Sequence, residues 1–354
     1  MAKKPSKKSA KKSKKPARRS SRTAKRGAKA MRAVRATATK PKPKPSPGRK
    51  PKPGPKPKLL RKTMGFLIAA TERDWRQYIN AFERELKRNW IVNGHGHGPD
   101  ILTIDYQPAA GAAGEPATLS IIANAFVNNN VDIIVTSGTQ ATQACKNVPS
   151  TIPIVFAAAG DPVGSQLVAS LTAPGGRVTG CTNLQTNQPI LSDRIALMQR
   201  RLNTAKVGVV GNIDCDAVDS AIDLVRSTLS GAGIAVASRE PGRFRYSDFQ
   251  SPATIRNKLS AMQDGTVTAL YVCSDPVLTA NLDDLVREAG NLQMQTMHEI
   301  REARGHNGNQ TYGTNFRLLF TKAAEKANLI LRGTAAGTIP VYVPPQNTIE
   351  QDPA

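Results

Sequence analysis

The sequence predicts an α/β fold of two doubly wound lobes preceded by a disordered basic tail. Of the 50 Lys and Arg residues, 26 lie within residues 1–62, where no acidic residue occurs. All aromatic residues lie from Phe66 onward. Beyond residue 62, short runs rich in Val and Ile alternate with helical segments. Alternation of this kind is typical of parallel strands that are joined by crossover helices and covered on both faces.

The tail over residues 1–62 is a polycation without aromatic side chains. It cannot bury enough apolar area to offset the entropy lost on ordering, so we expect it to be disordered. It resembles in composition the arms of linker histones and of bacterial histone-like proteins. Counterion release would then drive salt-sensitive, sequence-independent binding to DNA or another polyanion. The alternatives are a solvated arm, an arm that binds an anionic membrane surface, or a true start near Met64. The basic residues expected to contact nucleic acid are Lys11, Lys12, Arg18, Arg19, Arg49 and Lys50.

The first lobe is predicted over residues 63–185. It opens with a strand at 65–71 and an amphipathic helix at 74–90, whose large apolar side chains recur at spacings of three and four. Further strands follow at 101–108, 131–138, 152–162 and 178–183, with helices at 116–129, at 139–147 and after Pro162.

The second lobe is predicted over residues 186–295, and a segment at about 296–345 is expected to return to the first lobe. Ligands of such sheets bind beyond the carboxyl ends of the strands, so the cleft between the lobes is the expected site. The predicted strands cover 205–212, 233–240, 267–275 and 294–299, and the helices cover 190–202, 216–230, 251–262 and 276–289.

Polar loops follow several of the predicted strands. Ser137, Gly138 and Thr139 stand where a strand opens into a helix, and the free amides of a helix start suit an anion such as a carboxylate. Thr139 could instead be a simple N-cap. Asp161, before Pro162, is either a helix cap or a partner for an ammonium group. Asn212 and Asp275 occupy the equivalent strand ends in the second lobe.

Motifs for catalysis, cofactors and metals are missing from the sequence. Gly208 and Gly211 form GxxG rather than a dinucleotide fingerprint, and neither GxxxxGK[ST] nor GxSxG occurs. The four cysteines form no CxxC pair, and His95 and His97 in a Gly-rich loop are more typical of solvated surface than of a metal site. We therefore expect no enzyme, no cofactor and no metal. No membrane span and no signal peptide are visible, which predicts a cytoplasmic protein, with a periplasmic one as the alternative.

Five stretches together resemble the ABC-transporter substrate-binding proteins of the tryptophan/tyrosine type. The most specific is the GDPVGSxLVASLxxPGGxVTG run within 151–180, and the similarity extends over about 65–350. The others lie at 131–144, 269–281, 312–315 and 320–341.

The resemblance implies two Rossmann-like lobes of the type I periplasmic-binding-protein kind, joined by a hinge and closing on a ligand that is passed to a permease. By position it points again to the Ser137–Thr139 loop, Asp161 and Asp275, and it adds Tyr312 and Asn315. Members commonly have Pro where Gln140 stands, and a signal peptide or lipoprotein Cys where the tail stands.

Two functional hypotheses follow. The first is an ABC-transporter-type solute-binding protein that captures a small carboxylate-bearing, amino-acid-like metabolite between its lobes, with the tail as an accessory arm. The alternative is a cytoplasmic nucleoid-associated protein whose tail binds DNA non-specifically and whose body is a ligand sensor.

Overall fold

The computed structural model contains a compact unit over Pro57–Ala354. The structure describes most of this unit, and the predicted tail contacts from Lys11 to Lys50 lie outside the described residues. The end of the predicted tail is described, and there the prediction of disorder up to residue 62 is wrong. Arg61 and Lys62 form the start of the first strand, which covers Arg61–Ile68 instead of the predicted 65–71, because backbone pairing with a neighbouring strand does not require apolar side chains. The described residues are 58–69, 72–109, 116–183, 186–301, 303, 310–345 and 350–351.

The first lobe is built on a six-stranded parallel sheet with the strand order β2-β3-β1-β4-β5-β6. Its strands are β1 (Arg61–Ile68), β2 (Trp90–Val92), β3 (Asp100–Pro108), β4 (Ile133–Thr136), β5 (Ile154–Ala159) and β6 (Val178–Thr182). Its helices are α1 (Glu72–Leu86), α2 (Pro116–Asn128) and α3 (Thr139–Asn147).

The second lobe has a seven-stranded sheet with the order β13-β12-β11-β10-β7-β8, and β9 pairs with β7. All its pairings are parallel except that of β12 with β13. The strands are β7 (Lys206–Asn212), β8 (Ala235–Val236), β9 (Arg243–Phe244), β10 (Ala269–Val272), β11 (Gln295–Ile300), β12 (Gln310–Thr314) and β13 (Glu350–Gln351). The helices are α4 (Gln188–Arg201), α5 (Asp216–Gly231), α6 (Pro252–Met262), α7 (Pro276–Ala280) and α8 (Leu282–Asn291). A further helix, α9 (Phe316–Leu331), follows β12 and packs on the first lobe.

Each sheet carries helices on both faces, which confirms the predicted α/β class with doubly wound lobes. In β1, Phe66 packs into the core formed with α1 and α9, whereas Leu67 packs into the core formed with α2 and α3. In the second lobe, Val209 joins the core under α4 and α5, and Val210 joins the core under α6 and α8. Adjacent residues of a strand point to opposite faces of the sheet. Because helices cover both faces, the residues on both faces are apolar, and the strands appear in the sequence as continuous apolar runs.

The chain returns to the first lobe later than the predicted residue 296. β11 pairs with β10 through Ala269↔Gln295 and its successors, and β12 pairs with β11, so both strands belong to the second sheet. The return occurs at α9, whose Phe320 packs in the core with α1. Strand propensity located a strand at 294–299 but could not tell which sheet it joins, because pairing depends on distant residues.

The first helix, predicted at 74–90, ends at Leu86, and Trp90 opens β2. Three other predicted elements differ more from the structure. The helix expected after Pro162 is one turn followed by bends, because Gln166 takes a left-handed φ of 55° that ends the turn. The strand expected at 233–240 is reduced to Ala235–Val236. The helix expected at 276–289 is split at Asn281, whose side-chain Nδ2 donates to the Val277 carbonyl at 2.8 Å and competes with the helical backbone pattern.

The four cysteines, at 145, 181, 215 and 273, are buried and free. Burial raises the pKa of the Cys145 and Cys181 thiols to about 12, so these side chains act as small apolar groups. His95 and His97 are exposed, and the described residues contain no cluster of three or more metal-binding side chains. Among the described helices, none has the length and apolar character needed to cross a bilayer.

Candidate functional site

The carboxyl ends of the strands of both lobes face each other across a narrow space, which we call the inner pocket. Its volume is about 20 Å³, room for about one water molecule. The first lobe contributes the residues that follow β4 and β5, the second lobe those that follow β7 and β10. The described residues that line it are Trp75, Gly138, Thr139, Gln140, Ala158, Gly160, Asn183, Cys215, Val218, Ser274, Asp275, Pro276 and Phe316.

A larger cavity of about 580 Å³, the outer chamber, adjoins the inner pocket and shares Thr139, Gln140 and Cys215 with it. Its size falls in the range of small-molecule sites. The chamber lies between α2 and α3 of the first lobe and α5 of the second, with Asp161 and Asp214 in its walls. The two cavities therefore form one continuous cleft with a narrow inner end.

Helix α3 begins in the inner pocket. Gly138 is its N-cap, with φ 84° and ψ 173°, and no side chain caps the helix. This backbone geometry favours glycine. A Cβ at residue 138 would also stand 2.9 Å from Pro276 Cγ in the opposite lobe, too close for a real contact. The first amides of α3 thus face the cleft without a side-chain partner, and they carry the positive end of the helix dipole.

The hydroxyls of Ser137 and Thr139 hold the strand-end loops of the first lobe together. Ser137 is fully buried behind the pocket, and its Oγ accepts a hydrogen bond from the Ala69 amide at 2.9 Å. Thr139 Oγ1 accepts one from the Gly160 amide at 3.2 Å. Thr139 is the first residue of α3 rather than its N-cap. Through this hydrogen bond its hydroxyl fixes the position of the loop after β5. Only Thr139 of this pair lines the cleft.

Asp275 presents a buried carboxylate to the inner pocket. Its side chain is the N-cap of α7, and Oδ1 accepts hydrogen bonds from the amides of Val277 at 2.7 Å and Leu278 at 3.2 Å. The residue is only 2% exposed. Burial raises the pKa of the Asp275 carboxyl to about 6, since the hydrogen bonds to it only partly offset the loss of hydration. No Lys or Arg is present among the described residues that line the inner pocket.

Asn212 lies behind Asp275 rather than in the cleft wall. It is fully buried, and its Nδ2 donates to Asp275 Oδ1 at 3.3 Å. Its Oδ1 accepts a hydrogen bond from the Asp214 amide at 3.1 Å. Both amide atoms of Asn212 therefore orient neighbouring groups of the cleft.

The remaining predicted site residues do not line the inner pocket. Asp161 lines the outer chamber, where its Oδ1 accepts a hydrogen bond from the Gly164 amide at 2.8 Å. The Tyr312 hydroxyl donates to Asp193 Oδ2 at 3.1 Å, and its ring packs against the core of the second lobe. Asn315 caps α9 by accepting from the Leu318 amide at 3.1 Å. Neither Tyr312 nor Asn315 is among the residues that line the two cavities.

Two aromatic residues of the inner pocket were not predicted as site residues. Trp75 and Phe316 lie in the first turns of α1 and α9, with ring centroids 6.1 Å apart. Trp75 belongs to the apolar stripe of α1, so its spacing indicated a core residue. The available signal was its position in the first turn of the helix that follows β1, where the strand-end rule also applies. Phe316 directly follows the predicted Asn315.

A buried network fixes the loop of Ser274 from behind. The Ser274 amide donates to Glu299 Oε2 at 2.7 Å, and the Tyr271 hydroxyl donates to Glu299 Oε1 at 2.8 Å. Arg194, fully buried, lies 3.4 Å from Glu299 and donates through Nε to the Tyr312 carbonyl at 2.7 Å. Burial, and then the charge of Glu299, raise the pKa of the Tyr271 phenol well above its ordinary value, which keeps it a proton donor. The loop is therefore held by charge-assisted hydrogen bonds.

Comparison with known proteins gives one family and several similar folds. The family model described as ABC transporter substrate binding protein matches residues 95–349. A curated tyrosine-binding protein from Clostridioides difficile strain R20291 is 25% identical over 244 residues, 68% of this chain. The chain spans 66% of that relative, slightly less than two thirds of its length.

Two solved structures show the same fold. A conserved domain protein from Vibrio cholerae has a TM-score of 0.68 and 22% identity, covering 82% of this chain and 90% of that one. An ABC domain in complex with L-Trp from Streptococcus pneumonia has a TM-score of 0.65 and 19% identity, covering 80% of this chain and 89% of that one. At these identities the likeness concerns the fold, and it agrees with the two-lobed architecture described above.

Proposed function

Since the chain belongs to the family of ABC transporter substrate-binding proteins, we propose that it captures an amino-acid-like zwitterion between its lobes. The observation that carries the proposal is Asp275, a buried carboxylate in the inner pocket with no basic side chain among the described residues around that pocket. A buried charge without a counter-charge is costly. A ligand ammonium group would supply the missing cation. At 4 Å and an effective dielectric constant of 20, such a pair gains about 4 kcal/mol before desolvation.

The ligand carboxylate has a matching partner across the pocket. The amides at the start of α3 lack a side-chain cap, and Gly138 lets the ligand approach the backbone closely. A helix start of this kind is an anion-binding site in its own right. The positive helix end and the negative Asp275 thus lie on opposite lobes, so one zwitterion would contact both.

Trp75 and Phe316 favour a ligand with an aromatic or large apolar side chain. Both rings line the inner pocket beside the polar groups, and aromatic pairs add attraction beyond the area they bury. The curated relative from Clostridioides difficile is named a tyrosine-binding protein, and the structure from Streptococcus pneumonia contains L-Trp. We therefore place tyrosine and tryptophan first among the ligands to be tested.

Uptake of such a ligand requires the lobes to move apart, because the inner pocket holds only about 20 Å³. The chain passes between the sheets after β6, after β12 and before β13. Bending at such crossings is the usual basis of hinge closure around a ligand. The role is capture and release without chemical change, with an ABC permease as the partner. The family gives no support to the cytoplasmic location expected from the sequence, since its members act outside the cytoplasmic membrane.

The proposal is tested by isothermal titration calorimetry of the full chain with each standard amino acid. We expect tyrosine or tryptophan to bind, and Asp275→Asn to weaken that binding at least tenfold, about 1.4 kcal/mol. Asp283→Asn, exposed in the first turn of α8 and outside the lining of both cavities, is the matched control and should retain the affinity. Absence of binding by every amino acid, or an Asp275→Asn variant that binds as tightly as the parent, would contradict the proposal.

A further inference from the structure

Gln140 is the one residue near the start of α3 whose side chain reaches the opposite lobe through a hydrogen bond described in the structure. Its Nε2 donates to the Asp214 carbonyl oxygen at 2.6 Å, joining residues 74 positions apart. Gln140 also lines both the inner pocket and the outer chamber. The side chain therefore stands at the narrow junction of the cleft.

The partner of Gln140 is held firmly. The Asp214 carboxylate accepts hydrogen bonds from Arg245 Nη1 at 2.9 Å and from the Tyr246 amide at 2.7 Å. The Asp214 amide donates to Asn212 Oδ1 at 3.1 Å. A carbonyl on so constrained a loop offers a fixed anchor, so a hydrogen bond to it stabilises one closed position of the lobes.

The orientation of the Gln140 amide follows from this contact. A carbonyl oxygen only accepts hydrogen bonds, so the atom next to Asp214 must be the nitrogen. Oε1 is then the other atom, and it is buried with no hydrogen-bond partner among the residues the structure describes. A buried acceptor without a donor is unfavourable. Gln140 Oε1 is thus suited to a donor that arrives with the ligand.

We propose that Gln140 has two roles: its Nε2 latches the closed, ligand-free lobes through the bond to Asp214, and its Oε1 determines ligand specificity by accepting an N–H of the ligand ammonium group once the lobes have opened to admit it. The inference rests on the proposed function and deepens it. Asp275 takes one N–H of the ammonium group and Gln140 takes another, so the site distinguishes an amine from a ligand of the same shape without one. A site built to hydrogen-bond a donor rejects an analogue that lacks it, since its acceptors stay unpaired.

Three variants of the full chain separate the two roles. Gln140→Met keeps the length of the side chain but removes donor and acceptor, whereas Gln140→Glu keeps acceptor oxygens and removes the donor. Gln143→Met is the matched control. Gln143 lies one turn later in α3 and lines the outer chamber but not the inner pocket, where the ammonium group is proposed to bind. Its Nε2 donates to Asn147 Oδ1 within the same helix, so it makes no hydrogen bond to the opposite lobe there.

The first readout is the ratio of affinities for L-tyrosine and for its deaminated analogue 3-(4-hydroxyphenyl)propionate, measured by calorimetry. We expect Gln140→Met to lower this ratio about tenfold and Gln143→Met to retain it. Gln140→Glu should retain or raise it, because the added negative charge attracts the ammonium group and repels the anionic analogue. An unchanged ratio in Gln140→Met would overturn the specificity role. If the parent protein binds neither compound nor L-tryptophan, the specificity role fails together with the proposed function.

The second readout needs no ligand. Trp75 lines the cleft, while the other tryptophan, Trp90, is buried in the first lobe and donates to Asn328 at 2.8 Å. Quenching of tryptophan fluorescence by acrylamide therefore reports opening of the cleft through Trp75. We expect faster quenching in both Gln140 variants and parental quenching in Gln143→Met. Parental quenching in both Gln140 variants would overturn the latch, whatever the binding results.

Discussion

The buried carboxylate of Asp275 makes folding stability depend on pH in a defined direction. Its pKa is about 6 in the folded chain, against an ordinary value of 3.8. Between these values the folded protein binds more protons than the unfolded one, so the free energy of unfolding falls as pH rises. A shift of about two units amounts to about 3 kcal/mol in total, of which about 1 kcal/mol falls between pH 5 and 7.

Asp275→Asn removes this dependence with little other change. Asn caps helices as well as Asp does, and its Oδ1 can keep the hydrogen bonds from Val277 and Leu278. The other oxygen of Asp275 has only Asn212 at 3.4 Å as a described hydrogen-bond donor. We expect the variant to gain stability relative to the parent by about 1 kcal/mol more at pH 7 than at pH 5. Urea unfolding of both proteins at the two pH values measures the difference, and the histidine contributions cancel in it.

Asp132→Asn is a control of opposite sign. Burial raises the pKa of the Asp132 carboxyl, but hydrogen bonds from Lys62 and Thr63 outweigh burial and lower it overall. Stability from a lowered pKa is fully present above the unfolded value and is lost only in more acidic solution. Asp132→Asn should therefore lose the same stability at pH 5 and at pH 7. If the difference between Asp275→Asn and the parent is also equal at the two pH values, the reasoning about Asp275 is wrong.

Three further predictions concern the cleft and the two ends of β1. Gly138→Ala should weaken ligand binding at least tenfold in calorimetry, about 1.4 kcal/mol. The added Cβ would stand 2.9 Å from Pro276, and the φ of 84° at residue 138 strains an alanine. An affinity equal to that of the parent protein would refute this prediction. A chain starting at Met64 should have a free energy of unfolding in urea at least about 2 kcal/mol lower than a chain starting at residue 57. The shorter chain lacks the hydrogen bond from the Leu60 amide to Asp100 and the ion pair of Lys62 with Asp132 at 2.7 Å. Equal stability of the two chains would contradict these contacts. The hypothesis that the tail binds DNA predicts that the full chain is retained on DNA-cellulose, that salt elutes it, and that deletion of residues 1–56 abolishes the retention. Equal retention of the two proteins, or no retention of the full chain, would exclude the tail as a DNA-binding element.

Three residues predicted from strand ends line the inner pocket, and this agreement in position has a local cause. Gly138, Thr139 and Asp275 each follow a buried parallel strand directly, and the carboxyl ends of parallel strands meet at one edge of a sheet. Tyr312, which only the family resemblance had indicated, lies within β12, and its hydroxyl donates to Asp193 in the second lobe. The direction of a side chain at a strand end depends on register, which the pattern alone does not fix.

The aromatic residues of the pocket show the opposite limit. Trp75 packs in the core with α9 and lines the cleft at once. Periodicity assigns such a residue to the core because it reports only which face of a helix is apolar. Whether the far edge of that ring meets solvent, a ligand or the other lobe is decided by residues more than 200 positions away, such as Phe316. The same distance dependence hid the point at which the chain returns to the first lobe.

The close approach of Gly138 and Pro276 sets a mechanical end-stop for the cleft. No Cβ fits between the two residues, and neither has a long side chain that could fold aside. The lobes cannot collapse further at this point, so the aperture of the closed cleft has a lower limit fixed by backbone and ring atoms. A solute smaller than this smallest aperture cannot be contacted more tightly by further closure. The free energy that retains such a solute therefore falls as its size falls. Discrimination against undersized solutes would thus come from the scaffold itself, independently of any polar contact.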